Sequence, residues 1–310
     1  QEEPQTPPGA MSFRSGFVAL LGRPNTGKST LLNALVGTKV AIVSPRPQTT
    51  RTRLQGVLTR ENAQIVFVDT PGVHRPASRL GEKMMDAVRE ALEGIDLVLV
   101  VVDASRAPNE EDEQAVALAR AFAGPSFLLL NKIDRIAKPA LLPLLERFRR
   151  LHAFAEFIPL AALRGENVRL LEEKIIERLP EGPAYFPAET LTDQPERFLA
   201  AELVREKVFH ETRQEVPYSI AVVVDTFDES EAESRNLVRL HATLFVEKEG
   251  HKGILIGAGG ARLKKIGQAA RTELEALLGR RVYLELLVKT REDWRDRDGV
   301  ERLIDWRHGQ

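Results

Sequence analysis

The chain has 310 residues, 43% hydrophobic and 29% charged, with a formal net charge of −1 and no cysteine. That length holds about two domains with cores of their own, and the near-neutral charge excludes a uniformly basic nucleic-acid binder but not a local basic patch. Without cysteine there are no disulfides or thiolate metal sites, which fits a reducing cytoplasm, and no apolar run reaches the roughly 18 residues of a membrane span.

The opening QEEPQTPPGA is polar and proline-rich and lacks the basic and apolar regions of a signal peptide. Residues 1–13 are therefore expected to form a disordered tail. Beyond it, the short apolar runs FVALL (Phe17–Leu21), IVFVD (Ile65–Asp69), LVLVVVD (Leu97–Asp103), FLLLN (Phe127–Asn131) and FIPL (Phe157–Leu160) read as buried parallel strands. Helical patterns fill the gaps, for example Leu80–Leu92 and Asn109–Phe122. The alternation predicts a doubly wound α/β domain over residues 14–180. The stretch LPEGPAYFP (Leu179–Pro187) marks a linker, placed at 181–190. From 191 to 310 the pattern is α+β: a helix near Glu196–Arg213, alternating strands YSIAVVVDTF and VRLHATLFVEKE, a glycine stretch, a helix to Leu278, the strand RVYLELLVK and an acid- and arginine-rich closing helix.

The segment GRPNTGKST satisfies G-x-x-x-x-G-K-[ST] at every fixed position, after a predicted strand and opening a helix. Such a loop, here Gly22, Arg23, Pro24, Asn25, Thr26, Gly27, Lys28, Ser29 and Thr30, curls its backbone around a β-phosphate at a helix N-terminus. Lys28 adds charge at the β- and γ-phosphates, and Ser29 is a Mg2+ ligand. DTPG (Asp69–Gly72) follows the next parallel strand, where Asp69 can hold Mg2+ through water and the Gly72 N–H can sense a γ-phosphate. In NKID, Asn131 and Lys132 precede Asp134, whose carboxylate accepts two hydrogen bonds from guanine and would repel the N1 acceptor of adenine. The Lys132 stem can lie along the base. AAL (Ala161, Ala162, Leu163) follows the last strand and offers the Ala162 N–H to guanine O6. Each short motif alone is an ordinary turn; together, at the carboxyl ends of strands, they read as a guanine nucleotide site.

GRPNTGKS, QTTR, DTPG and NKID together resemble the translation-factor-related GTPases, and SPRPQTTRTR (Ser44–Arg53) resembles switch I of the Era family in particular. The resemblance implies that Thr50 ligates Mg2+ in the GTP state, with Thr49 its substitute, and that Asn25, Lys28, Thr50 and Gly72 serve hydrolysis. Asn25 also matches the residue with which related GTPases ligate K+. The fifth motif usually reads Ser-Ala-Leu; Ala161 replaces the serine and removes a side-chain bond near the base.

A second glycine stretch, GILIGAGGARLKKIG (Gly253–Gly267), is neither a dinucleotide fingerprint nor a second phosphate loop. What remains is G-x-x-G at Gly257, Ala258, Gly259 and Gly260, alone as compatible with a helix–turn–helix corner as with a nucleic-acid clamp. The order helix, strand, strand, helix, GxxG, helix, strand from Glu196 to Lys289 resembles a type II KH domain, which clamps about four single-stranded nucleotides. Leu263, Ile266, Ala270, Leu274 and Leu277 make the apolar stripe of the second helix, leaving Arg262, Lys264, Lys265 and Arg271 beside the loop, with Lys252 before it, as candidate RNA contacts.

The Era family joins a P-loop GTPase to a C-terminal KH domain. The resemblance implies GTP and GDP as ligands, the 3′ end of small-subunit ribosomal RNA as the bound strand, and a role on the 30S subunit precursor. It implies a cytoplasmic monomer that also associates peripherally with the inner membrane. Two other readings stay open: an RNA-binding scaffold with a non-hydrolysing nucleotide site, and a GTPase whose KH-like domain binds protein. Intact Lys28, Ser29, Thr50 and Asp69 favour hydrolysis. His74, close behind DTPG, is read as a solvent-exposed switch residue, and His210, His241 and His251 are too scattered to bind a metal.

Overall fold

The computed structural model describes residues 12–44, 46–213, 216–297 and 300–305. Residues 1–11 of the expected tail and the last five residues of the expected closing helix lie outside them. In chain order the elements of the first part are β1 (Arg14–Leu21), α1 (Lys28–Val36), β2 (Leu54–Thr59), β3 (Ala63–Asp69), α2 (Arg79–Glu90), β4 (Leu97–Asp103), α3 (Glu110–Ala121), β5 (Ser126–Asn131), α4 (Leu141–Leu151), β6 (Glu156–Pro159) and α5 (Val168–Arg178). The second part holds α6 (Glu196–Glu211), β7 (Ala221–Asp228), α7 (Ala232–Arg235), β8 (Leu237–Val246), α8 (Glu249–Ile256), α9 (Ala261–Leu278), β9 (Arg281–Thr290) and α10 (Glu301–Ile304).

The first part forms a six-stranded sheet in the order β2-β3-β1-β4-β5-β6. Five strands are parallel, as their unbroken apolar runs require when helices cover both faces. A further strand, β2, pairs antiparallel with β3 at the sheet edge, so the sheet is mixed rather than wholly parallel. The segment LQGVLT alternates too weakly to declare a strand, and its partner supplies the ladder that makes it one. Helix starts follow their caps: the Ser78 side chain accepts the Gly81 N–H ahead of α2, and Asn109 and Asp112 close a reciprocal capping box on α3. One core lies on each face of the sheet, the first around Leu31, Phe67 and Phe127 and the second around Leu21, Val100 and Phe148.

The second sheet runs β7-β8-β9, with β7 antiparallel and β9 parallel to β8. Helices α6, α8 and α9 pack on it through Val208, Phe209, Leu255, Ile266, Ala270 and Leu274. Leu277 does not join this stripe and stays 41% exposed, because α9 has by then turned it toward the gap between the two sheets. In place of a long closing helix the described residues contain a single helical turn at Trp294–Asp296 and the four-residue α10. Trp294 is wholly buried against Leu80 and Met84 of α2.

The stretch between the sheets lies against the first. Ser15 Oγ donates to the Pro183 carbonyl at 2.7 Å, Gln64 holds Tyr185 and Phe186 through their backbones, and the Val57 N–H donates to the Leu191 carbonyl.

Candidate functional site

The candidate site residues of the first sheet, and Asp103 with them, sit at strand ends on one edge. Gly22 follows β1, Asp69 ends β3, Asp103 ends β4 and Asn131 ends β5, with Leu20 opposite Asp69 and Asp103 opposite Asn131 in the ladders. This is the edge at which open α/β sheets meet ligands. Gly27, in a left-handed conformation, turns the chain from the loop into α1. Lys28 folds back over the loop, its Nζ donating to the carbonyls of Gly22 at 2.9 Å and Arg23 at 3.1 Å. Burial pulls its ammonium down to about 8, against the opposing pull of Asp69.

Ser29, Thr50 and Asp69 converge. Ser29 Oγ donates to Asp69 Oδ2 at 2.7 Å and lies 2.9 Å from Thr50 Oγ1, which itself reaches Asp69 Oδ2 at 3.3 Å. Burial raises the Asp69 carboxyl above its usual value, with Lys28 and the two hydroxyls pulling the other way. Asp69 Oδ1 is buried without a hydrogen-bond partner. Thr49 turns away and donates to the Arg46 carbonyl at 2.7 Å, so Thr50 alone of the pair points into the cluster. Few protein oxygens with room for phosphate and water suit Mg2+, which seldom takes an all-protein cage. Among the described residues no group of three His, Cys, Asp or Glu side chains makes such a cage. The cleft above the cluster is lined by Pro24, Asn25, Gly27, Lys28, Ser29 and Thr30, and is closed by Ile42–Ser44, Gln48–Thr50 and Gly72.

Asn131 ties the phosphate loop to the chain after β5 and β6. Its Nδ2 donates to the Thr26 carbonyl at 2.8 Å, and its Oδ1 accepts from the N–H groups of Lys132 and Ala162. The Ala162 N–H, expected to face guanine O6, donates to Asn131 Oδ1 at 3.0 Å in this structure. Ala161 spends its own N–H on the Glu166 carbonyl, and Leu163 is exposed. Lys132 Nζ bridges the Asn25 carbonyl and Asp103 Oδ2, which spans its stem between loop and sheet. Asp134 pairs with the exposed Arg164 at 3.1 Å.

Two partners went unseen in the sequence. Asp103 is one; Asp112 is the other, buried on α3 and holding Arg23 Nε at 3.0 Å through both oxygens. The only sequence signal for Asp112 was its place in the capping box. His74 also departs from expectation: its Nδ1 lies 2.7 Å from the Gly72 carbonyl, and its Nε2 is buried without a partner. Gly81 lies close to that nitrogen: a Cβ there would come within 3.4 Å of Nε2.

In the second sheet's region, the Gly257–Gly260 loop joins α8 to α9, with positive φ at Gly257, Gly259 and Gly260. It opens on a cleft lined by Gly260, Leu263, Lys264 and Arg271 on one side and Arg239 and Tyr283 on the other. The structure divides the predicted basic cluster. Lys264 and Arg271 line the cleft, Arg262 donates to the Ile254 carbonyl, Lys265 pairs with Glu211 and Lys252 with Glu249. Arg239 stacks over the Tyr283 ring at 5.5 Å, and no sequence motif had marked either residue.

This is a P-loop GTPase domain followed by a KH domain. Family models agree: residues 17–132 match the 50S ribosome-binding GTPase family and residues 215–295 the KH domain. GTPase Era of Syntrophus aciditrophicus is 50% identical over 285 residues, covering 92% of each chain. GTPase Era of Geobacter metallireducens is 49% identical over 91% of this chain and 94% of its own. A crystal structure of Era with MgGDPNP and nucleotides 1506–1542 of 16S ribosomal RNA superimposes with a TM-score of 0.91 at 43% identity, over 94% of this chain and 99% of that one. A variant of Aquifex aeolicus Era bound to GDP and AlF4− gives 0.90 at 42% identity over the same shares. The chain belongs to the Era family of GTPases.

Proposed function

We propose that this GTPase hydrolyses Mg2+-bound GTP at the Ser29–Thr50–Asp69 cluster and that its nucleotide state governs the binding of single-stranded RNA at the KH cleft. The observation that carries the reading is the convergence of two hydroxyls on one buried carboxylate whose second oxygen lacks a partner. Ser29 and Thr50 are the direct ligands in this reading and Asp69 acts through water; the ion neutralises charge on the β- and γ-phosphates. Lys28 leaves the Gly22 and Arg23 carbonyls to meet those phosphates, and the α1 N-terminus adds its dipole. The Gly72 N–H binds the γ-phosphate. Asp134 selects guanine, with Lys132 along the base and Asn131 fixing the loop beneath it.

Hydrolysis is slow in this reading. Val73, buried after DTPG, cannot orient water as a glutamine would. Asn25 is the residue to hold K+ in the place of an arginine finger, so K+ should accelerate turnover over Na+ and Asn25→Ala should abolish the difference.

The relative crystallised with the 3′ region of 16S ribosomal RNA supports the same partner here, and with it a role on the 30S precursor. Residues 14–180 are the proposed GTPase domain, 181–190 the linker and 191–310 the KH domain with its C-terminal extension. A cytoplasmic monomer with peripheral attachment at the inner membrane is proposed from the family resemblance; among the described residues no helix is long and apolar enough to cross a membrane.

Asp134→Asn tests the guanine assignment. GTP affinity should fall on the order of a hundredfold with two charge-assisted bonds gone, and XTP affinity should rise, both read by nucleotide titration. Unchanged GTP affinity would place the base elsewhere.

A further inference from the structure

The segment that brings Thr50 to the nucleotide cluster is held from the KH side. The Val43 N–H donates to Glu206 Oε1 at 2.9 Å, Arg46 Nη2 to the Thr212 carbonyl at 3.1 Å and Thr52 Oγ1 to Asp305 Oδ2 at 2.7 Å. The grip is closest around Thr50. On one side Arg205 of α6, buried, donates from Nη2 to the Thr49 carbonyl. On the other, Arg51 donates to the Ile220 and Tyr218 carbonyls and lies 5.6 Å from the Trp294 ring centroid.

The Thr49 carbonyl belongs to the peptide plane that leads into Thr50, and that plane is rigid. Fixing its oxygen leaves only the Thr50 dihedrals to aim Oγ1. We infer that Arg205 is a positioning residue for GTP hydrolysis: by holding the Thr49 carbonyl, the KH domain keeps Thr50 Oγ1 at the Ser29–Asp69 cluster. The inference rests on the reading of Thr50 as a Mg2+ ligand.

Arg205 is built to hold a fixed direction. Its Nε donates to Glu202 Oε1 at 2.7 Å, and its guanidinium lies over the Phe209 ring, 5.1 Å from the centroid. A flexible side chain would not define one peptide plane; a guanidinium fixed at two other points does. The contact acts on the segment that a γ-phosphate orders and hydrolysis releases. Losing it should therefore weaken the triphosphate complex and leave the diphosphate complex alone.

The test uses the full chain with Mg2+, measuring affinity for GDPNP and for GDP together with the kcat and KM of GTP hydrolysis. Arg205→Met keeps the stem against Phe209 and removes every donor. It should weaken GDPNP roughly tenfold, the loss expected for one charge-assisted hydrogen bond, and lower kcat, with GDP affinity unchanged. Arg205→Lys, which restores one donor, should recover part of the loss. Thr50→Ala should reproduce the GDPNP defect with Arg205 intact. Equal losses of GDPNP and GDP affinity in Arg205→Met would mean that the residue only supports the fold, and no loss of either would mean that the contact is idle; both overturn the inference. A Thr50→Ala variant with full GDPNP affinity would instead overturn the metal-ligand reading, and this inference with it. Were Arg205→Met to fail to fold, Arg205→Lys alone decides: a GDPNP-selective loss supports the inference, and none overturns it.

Discussion

In the loop at Gly22–Thr30 the glycines stand where a side chain has no room, whereas in the loop at Gly257–Gly260 they stand largely in open space. A Cβ on Gly22 would lie 2.3 Å from the Val101 carbonyl oxygen, and one on Gly27 2.4 Å from Asn131 Nδ2. A Cβ on Gly259 would meet nothing within 4 Å; there the left-handed φ of 56° makes the demand. The first loop is shaped by what surrounds it, so its N–H groups are fixed before a nucleotide arrives, as a compact ligand of constant shape permits. The second is shaped by its own dihedrals and leaves backbone uncovered, which suits a strand that must be laid along a groove. Both loops are glycine-rich beside cations, and that likeness hides two different constraints.

The sharpest way to break the comparison is Gly22→Ala. The Cβ meets a carbonyl of the central strand β4, which cannot step aside, and the residue must also hold a φ of 152°. A loss of about 3 kcal/mol in chemical denaturation is expected from overpacking and backbone strain, with no measurable GDP binding. Next comes the pair Ala258→Asp and Gly259→Asp. Two carboxylates where phosphates approach should weaken a 16S 3′-end oligonucleotide on the order of a hundredfold at fixed salt. RNA-free GTP hydrolysis should continue at the wild-type rate, because the proposed function gives the two loops different ligands. Gly259→Ala isolates the conformational demand: with open space around the Cβ it should cost only about 1 kcal/mol and leave GDP binding intact.

The smallest effect concerns the seam between the two regions, where Lys39 and Lys207 bridge Glu206 and Glu273. Burial opposes the charge on both glutamates, yet the bonds from Lys207 and Lys39 outweigh it and hold both below their usual range. A carboxylate depressed in the folded state contributes fully above its unfolded pKa of about 4.3 and loses that contribution as pH falls through the lower folded value. Lys39→Met should therefore lower stability near neutral pH by under about 1 kcal/mol, since Lys39 is partly exposed. The gap between variant and wild type, read from thermal unfolding, should close as pH falls through the acid range.

The nucleotide motifs were legible because each is a short contiguous run whose job is done by local backbone. Gly22–Thr30, Asp69–Gly72 and Asn131–Asp134 each end a strand that its own apolar run announces, and the KH element order could be counted along the chain. What stayed hidden was pairing at a distance. The Arg23–Asp112 contact spans 89 positions and Lys132–Asp103 spans 29, and nothing in either residue's neighbourhood names the other. Strand β2 needed β3 beside it to show itself, and Arg239 met Tyr283 only because β8 and β9 lie side by side. The Ala162 N–H meets Asn131 Oδ1 across 31 positions, a contact no local pattern announces.

The sequence by itself determined that the chain carries two glycine-rich loops on two kinds of domain, because glycine spacing, a following helix and a strand-end carboxylate are local patterns that fix local geometry. Only the tertiary structure decided how one domain reaches the other. Arg205 stands 156 positions from Thr49, and the hydrogen bond between them exists because α6 is packed against the segment beside the phosphate loop. An arginine in a helix announces a charge, and its partner is whatever carbonyl the packed neighbour presents.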